Sequence, residues 1–153
     1  MRILVIGAGG RVGGAIMDHF AARGHEMVGW ARADANLADR DVLRSLLERE
    51  PYDLLINPAA MTSVDECEGE EKLAFAVNAT APEVMARVSL EKGARFFHVS
   101  TDYVFDGVAE GLRLETDATN PLGVYGRSTA EGEPLLLSVS PDFLVLRPSW
   151  VFG

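Results

Sequence analysis

Five short runs of mostly apolar residues limit what this chain can fold into: RILVI (2–6), EMVGW (26–30), DLLIN (53–57), RFFHVS (95–100) and FLVLR (143–147). Each has the length of a strand, and none shows the strict alternation expected of a sheet with one wet face. A strand that is apolar on both faces must be covered on both, as in a parallel sheet between two layers of helix. The intervening segments carry helical periodicity near 11–23, 39–49, 66–92 and 124–138, long enough for crossover connections. The third is expected to break near NATAP, with Thr80 as a cap and Pro82 in the next first turn. Pro134 falls inside the fourth, where a proline removes a backbone bond and costs roughly 3 kcal/mol, so that helix is expected to be short. At 153 residues the chain has room for one core and little more, and it contains no repeat or linker. The economical fold is a single doubly wound α/β layer with a parallel sheet.

GAGGRVGG (7–14) follows the first strand directly. Gly7, Gly10 and Gly13 form GxxGxxG, in which glycines permit a sharp turn and let backbone approach a diphosphate seated on the next helix's N-terminus. The pattern alone is weak, and a tight turn without ligand is the plain alternative. Its context, strand before and helix after within a βαβ unit, favours dinucleotide binding. Arg11 and Val12, between the last two glycines, join the candidate cradle. At the end of the second strand the chain reads WARAD, with Arg32 suited to a ribose 2′-phosphate and Asp34 to a 2′-hydroxyl; this leans to NADPH and leaves NADH open. Asn36 and Leu37 complete the candidates there, although Arg32 read plainly is one more exposed cation.

Two further stretches, INPAAMTSVDECE and HVSTDYVFDG, begin at C-terminal strand ends, the edge where ligands bind in such sheets. Ala59 and Ala60 are small enough for a flat cofactor to lie against backbone. Ser63 reads as a helix cap, with Glu66 completing a capping box. Ser100 and Thr101 offer hydroxyl groups; Thr101 is also a plausible turn residue, and the arrival of a second hydroxyl, Tyr125, on a later helix favours a functional role.

A net charge of −9 argues against nucleic-acid or anionic-membrane partners, which are held mainly by Lys and Arg. No run reaches the roughly 20 apolar residues of a membrane span, and the glycine-rich start, carrying Arg2 and Arg11, lacks the continuous apolar core of a targeting segment. A cytoplasmic location is expected. Cys67 has neither a disulfide partner nor a CxxC companion and reads as a small, partly buried side chain. The acidic run DECEGEE (65–71) reads as a solvated helix start rather than a metal site, so no metal is expected. His98 reads as a satisfied core residue, and His19 and His25 as superficial.

In order and spacing, GAGGRVGG, INPAAMTSVDECE, AFAVNATAP, HVSTDYVFDG, NPLGVYGRS and LRPSWVFG resemble the N-terminal part of the dTDP-4-dehydrorhamnose reductase family, an extended group of short-chain dehydrogenase/reductases. STDYVFDG followed by NPLGVYGRS is the specific element, and the likeness covers essentially the whole chain. The resemblance implies a Rossmann-type NAD(P)H-binding domain over 1–153, a nucleotide-sugar substrate whose 4-keto group is reduced, and a catalytic set of Thr101, Tyr125 and a lysine four residues after the tyrosine. Homo-oligomerisation is left open. Family members continue past RPSWVFG into a smaller domain that closes over the sugar nucleotide, so the substrate domain is expected to be absent from this chain.

The chemistry of that set is general. A phenol of pKa about 10 is a sluggish acid near neutrality; a nearby ammonium favours its phenolate and eases proton exchange with a substrate oxygen, while Thr101 would donate to the developing oxyanion. Here Thr129 holds the lysine's position, neutral and too short to reach a ribose. Arg127, two residues along the helix from Tyr125, points to roughly the opposite face. Met61 stands where the family commonly has a tyrosine. Loss of a positioned acid/base partner removes on the order of 10²–10⁴ in rate, and binding can survive it. The expected function is therefore a reductase domain of impaired activity. The alternatives are a non-catalytic NAD(P)-binding regulator or scaffold, which Thr129 favours, and another nucleotide-sugar reductase or epimerase on the same fold.

Overall fold

The computed structural model describes residues 1–152. The apolar runs become β1 (Arg2–Ile6), β2 (Glu26–Trp30), β3 (Leu54–Asn57), β4 (Arg95–Val99) and β5 (Leu144–Leu146). They form one sheet in the order β2-β1-β3-β4-β5, and every neighbouring pair is parallel. The chain winds outward from β1 to β2, then crosses back over β1 to β3. This reversal opens a crevice at the C-terminal ends of β1 and β3, the usual ligand position in such sheets.

The helices are α1 (Arg11–Ala21), α2 (Arg40–Arg49), α3 (Val64–Gly69), α4 (Glu71–Phe75), α5 (Ala81–Glu91) and α6 (Val124–Val139). Alternate residues of β1 supply two cores, as the two-residue period of a strand requires. Leu4 and Ile6 pack with Leu43 and Leu47 of α2, Met85 and Val88 of α5, and Leu136 of α6. Ile3 and Val5 face the other way, against Ile16, Met17 and Phe20 of α1. Among the described residues no helix is long and apolar enough to cross a membrane.

Two helical segments depart from the sequence-based expectation. The segment expected to break at NATAP breaks earlier, at Glu70 (φ −127°, ψ 51°), and Thr80 is itself helical and caps nothing. Residues Ala76–Thr80 instead widen into a π turn, in which the Ala81 N–H bonds back to the Ala76 carbonyl. In an α-helix the Pro82 ring would strike the carbonyl four residues earlier, that of Asn78. The wider turn moves this carbonyl aside, against Gly132 of α6, where an added Cβ would collide with it. The second departure is α6, which runs five residues beyond Pro134 to Val139. Its far half buries Leu136 completely, and that apolar burial offsets the lost backbone bond.

The ends of β3 and β4 are tied by side chains. The Asn57 Oδ1 accepts the Ala59 N–H at 3.1 Å, so its NH₂ group faces His98 and donates to Nδ1, also at 3.1 Å. The proton of neutral His98 therefore sits on Nε2, which is buried and has no partner among the described residues. His98 is thus only half satisfied, short of the fully paired core histidine expected. Burial lowers its pKa to about 4, although the charge of Glu133 favours the cation.

Two predictions follow from this packing. Gly132→Ala should destabilise the fold by about 1–3 kcal/mol through overpacking against a backbone carbonyl, whereas Gly69→Ala, with open space at its Cβ position, should be neutral or gain up to about 1 kcal/mol in helix propensity; urea midpoints measure both. His98 stays neutral in the fold down to about pH 4 while the unfolded chain takes up a proton near 6.5. The stability it supports is complete above that value and declines by about 3 kcal/mol as pH falls to 4. Urea titrations across this range should show that decline in the wild type and lack this component in His98→Gln.

Candidate active site

At the C-terminus of β1 the chain turns through Gly7, whose φ of +83° is a region side chains rarely adopt. An added Cβ there would stand 2.9 Å from the Ala59 Cβ, so the turn and the β3 loop approach as closely as backbone allows. Gly13 lies directly beneath the Gly7 carbonyl, with no space for a side chain. Several loop amides are already used: those of Gly7 and Ala8 donate to the Trp30 carbonyl (2.7 and 3.0 Å), and that of Gly10 to the Gly7 carbonyl (3.0 Å). The amides of Arg11 and Val12, first in α1, have no backbone acceptor among the described residues. The helix start also has no side-chain cap and no acidic residue in its first turn. Unpaired donors and the positive end of the helix dipole make it a place for an anion.

Gly7, Arg32, Asn36, Leu37, Ala59 and Ala60 line a single cleft of about 840 Å³ at the C-terminal ends of β1 and β3. Arg32 is exposed on its wall and enters no ion pair among the described residues. Asp34 is placed differently, because its Oδ2 accepts the Ala31 N–H at 2.7 Å and so closes its own turn. The cation lines the cleft, whereas one of the two oxygens of the carboxylate is engaged in its own turn.

Other candidate residues lie elsewhere than the sequence suggested. The Arg11 and Val12 side chains line a separate hollow of about 370 Å³ with Ile16, Phe20 and Phe152, and the Arg11 guanidinium donates to the Val151 carbonyl at 3.3 Å. Neither they nor Gly10 and Gly13 line the cleft, which Gly7 alone of the glycine motif does. The Ser100 hydroxyl turns inward and donates to Glu133 at 2.5 Å. Ser63 occupies the cap position of α3 without making a side-chain bond, so the capping box does not form.

Thr101 and Tyr125 come together beyond Met61, which lines the cleft and packs in the same apolar cluster as Tyr125, Cys67 and Phe75. Tyr125 is at the second position of α6, and its ring meets that of Tyr103 edge to face at 5.4 Å. Burial raises the phenol pKa above its usual value; the neighbouring Thr101 hydroxyl lowers it, and the charge of Asp102 adds to the rise. Thr101 also accepts the Tyr103 N–H at 3.2 Å, so the turn role and the placement beside Tyr125 coexist. Thr129 is buried and donates to the Tyr125 carbonyl at 2.9 Å. Its hydroxyl is consumed by the helix that carries the phenol.

Sequence reasoning missed two parts of this region. Glu66, Glu70, Leu73 and Val77 form a stripe along the far wall of the cleft; their three- and four-residue spacing was readable, but the acidic run looked solvated. The Asn78 carboxamide, projecting from the π turn, donates to the Met61 carbonyl (3.0 Å) and Ser128 (3.0 Å) and accepts the Met61 N–H (2.8 Å). No local signal marks it, because its partners are 17 and 50 residues away.

Known proteins share this fold. The chain is 39% identical over 153 residues to a dTDP-4-dehydrorhamnose reductase from Aggregatibacter actinomycetemcomitans, with 99% of this chain and 52% of the relative covered. The structure of a Clostridium acetobutylicum dTDP-4-dehydrorhamnose reductase superposes with a TM-score of 0.94 at 32% identity, over 100% of this chain and 55% of that one. The Bacillus anthracis dTDP-4-dehydrorhamnose reductase, solved in complex with NADP, gives 0.92 at 26% identity over 99% and 54%. The chain thus spans about half the length of these relatives. The sheet is Rossmann-like, and the family model for the RmlD substrate binding domain matches residues 1–153: the chain belongs to that family.

Proposed function

We propose that residues 1–153 form the NADPH-binding part of a cytoplasmic reductase of the dTDP-4-dehydrorhamnose type, acting on the 4-keto group of a nucleotide-linked deoxysugar. Sugar recognition would then belong to the part of the relatives' length that this chain does not span. The observation that carries the reading is the convergence of the Gly7 turn, Arg32 and Ala59 on one cleft, with Thr101 and Tyr125 beyond its Met61 wall. Such a cleft fits a dinucleotide: a close-approach turn and unpaired amides suit the diphosphate, and an unpaired guanidinium suits a 2′-phosphate. NADPH is favoured over NADH because Arg32 lines the cleft and Asp34 does not.

When bound, the nicotinamide supplies hydride to the carbonyl carbon. Tyr125 holds the proton for the carbonyl oxygen, and Thr101 donates a hydrogen bond that grows stronger as negative charge develops there. With its pKa raised by burial and no ammonium at position 129, the phenol is a poor acid at neutral pH. Slow turnover is the consequence. The buried, fully engaged Thr129 also supports a second reading, a protein that binds NAD(P) without reducing anything.

Calorimetry tests the binding half. NADPH should bind at least tenfold more tightly than NADH, and Arg32→Ala should erase the difference, the expected effect of losing one charge-assisted hydrogen bond. Equal affinities in the wild type would overturn the Arg32 assignment, and absence of heat with either coenzyme would overturn the dinucleotide site. Thr129→Lys tests the chemistry: the Tyr125 phenolate absorbance should develop at lower pH, and keto-sugar reduction should rise by about 10²–10⁴. A lowered phenol pKa with no turnover in either protein fits the binding-only reading and equally the want of the sugar-recognising part that this chain does not span.

A further inference from the structure

Tyr125 sits near the start of a helix that has no local means of fixing its own first turn. The residue at the cap position is Gly123, which has no side chain to accept a bond, and the first turn contains no acidic residue. The preceding stretch, residues 105–123, contains no regular element. Helix starts of this kind fray unless their free amides find partners. Here the partner comes from another helix: Glu68 of α3 places Oε1 2.7 Å from the Val124 N–H, 56 residues away in sequence. A Cβ on Gly123 would stand 2.9 Å from the same oxygen, so glycine at that position leaves the carboxylate its place.

We infer that Glu68 is a positioning residue for Tyr125, capping α6 from α3 and thereby fixing the phenol relative to the cleft. Helix α3 carries Glu66 on the cleft wall, while Glu68 itself stands outside the cleft and reaches the tyrosine's helix. One short helix thus touches both the binding surface and the backbone that aims the phenol. Two other side chains of the same region hold α6, Asn78 at Ser128 and Glu71 at Arg127 (3.2 Å). The second is a solvent-exposed ion pair, a class that contributes little, and neither bonds to the backbone of the first turn. The catalytic weight of Glu68 rests on the reductase reading; the cap does not.

Amide NMR on the whole chain separates the two. Glu68→Gln, which keeps an oxygen acceptor, should preserve the slow exchange of the Val124 amide and keep the ring shifts of the Tyr103–Tyr125 pair. Glu68→Ala should accelerate Val124 exchange about fivefold, the usual effect of losing a cap, and displace those ring shifts and the phenol titration. Gly123→Ala should do the same by pushing the carboxylate aside without removing its charge. NADPH affinity should change by less than twofold in all three. Unchanged exchange and ring shifts in Glu68→Ala, or failure of Glu68→Gln to retain them, would overturn the inference. If the wild type binds no NADPH, the dinucleotide reading fails alone, and exchange and ring shifts still decide the role of Glu68.

Discussion

The buried carboxylate of Glu133 holds together the three pieces from which the candidate site is made. It accepts the Ser100 hydroxyl at 2.5 Å and a forked pair of bonds from Arg147 at 2.9 and 2.5 Å, while only 3% of the residue is exposed. Ser100 follows β4, Arg147 follows β5 and Glu133 lies in α6, so one ionic knot fixes the relative position of all three. The Arg147 guanidinium also stacks 5.2 Å from the Phe105 ring, whose surroundings include the Arg113 guanidinium at 5.1 Å; the segment after Thr101 is folded back on the same knot. Buried ion pairs add little net stability over apolar packing, but removing one partner costs about 3–5 kcal/mol because the other charge stays behind. Its main effect is geometric. Thr101 adjoins Ser100, Tyr125 lies two helical turns before Glu133, and their approach is a consequence of this pairing.

The sheet was legible because its constraint is local. Strands covered on both faces must be apolar throughout, and the ends of the five runs fell within about a residue of the observed strands. The glycine turn was legible for a similar reason, since a positive φ at Gly7 and the absence of space at Gly13 leave no other residue type comfortable. Irregular features were not legible. The π turn exists because Pro82 and Gly132, 50 residues apart, must both accommodate the Asn78 carbonyl, and α6 passes Pro134 because Leu136 reaches a core assembled from distant strands. Local propensity ranks a proline correctly and still fails when tertiary burial outweighs it.

The same division applies to the site. That Gly7, Ala59 and Ala60, which offer backbone or smallness, lie together at one cleft could be expected from type and spacing. Residues whose contribution depends on side-chain direction could not. Arg11 points into another hollow, Ser100 points toward Glu133, and Asp34 folds onto Ala31. Glu68 was hidden for a further reason: within an acidic helix start, the one carboxylate that meets the tyrosine's helix is chemically identical to its solvated neighbours, and only the fold distinguishes it.

The proposed binding and the proposed chemistry would therefore rest on different physical supports in this chain. The cleft is lined by Gly7, small alanines and one guanidinium, none of which involves position 129. The proposed proton donor would depend on what surrounds a single phenol, and there Thr129 contributes only a hydroxyl bonded to the Tyr125 carbonyl. A buried threonine fits that helix without leaving a polar atom unpaired, so nothing in the packing resists the loss of a lysine. On the reading proposed above, a threonine at this position would lower acid/base power while leaving the cradle intact, so that affinity for a coenzyme and rate of reduction would be separable properties.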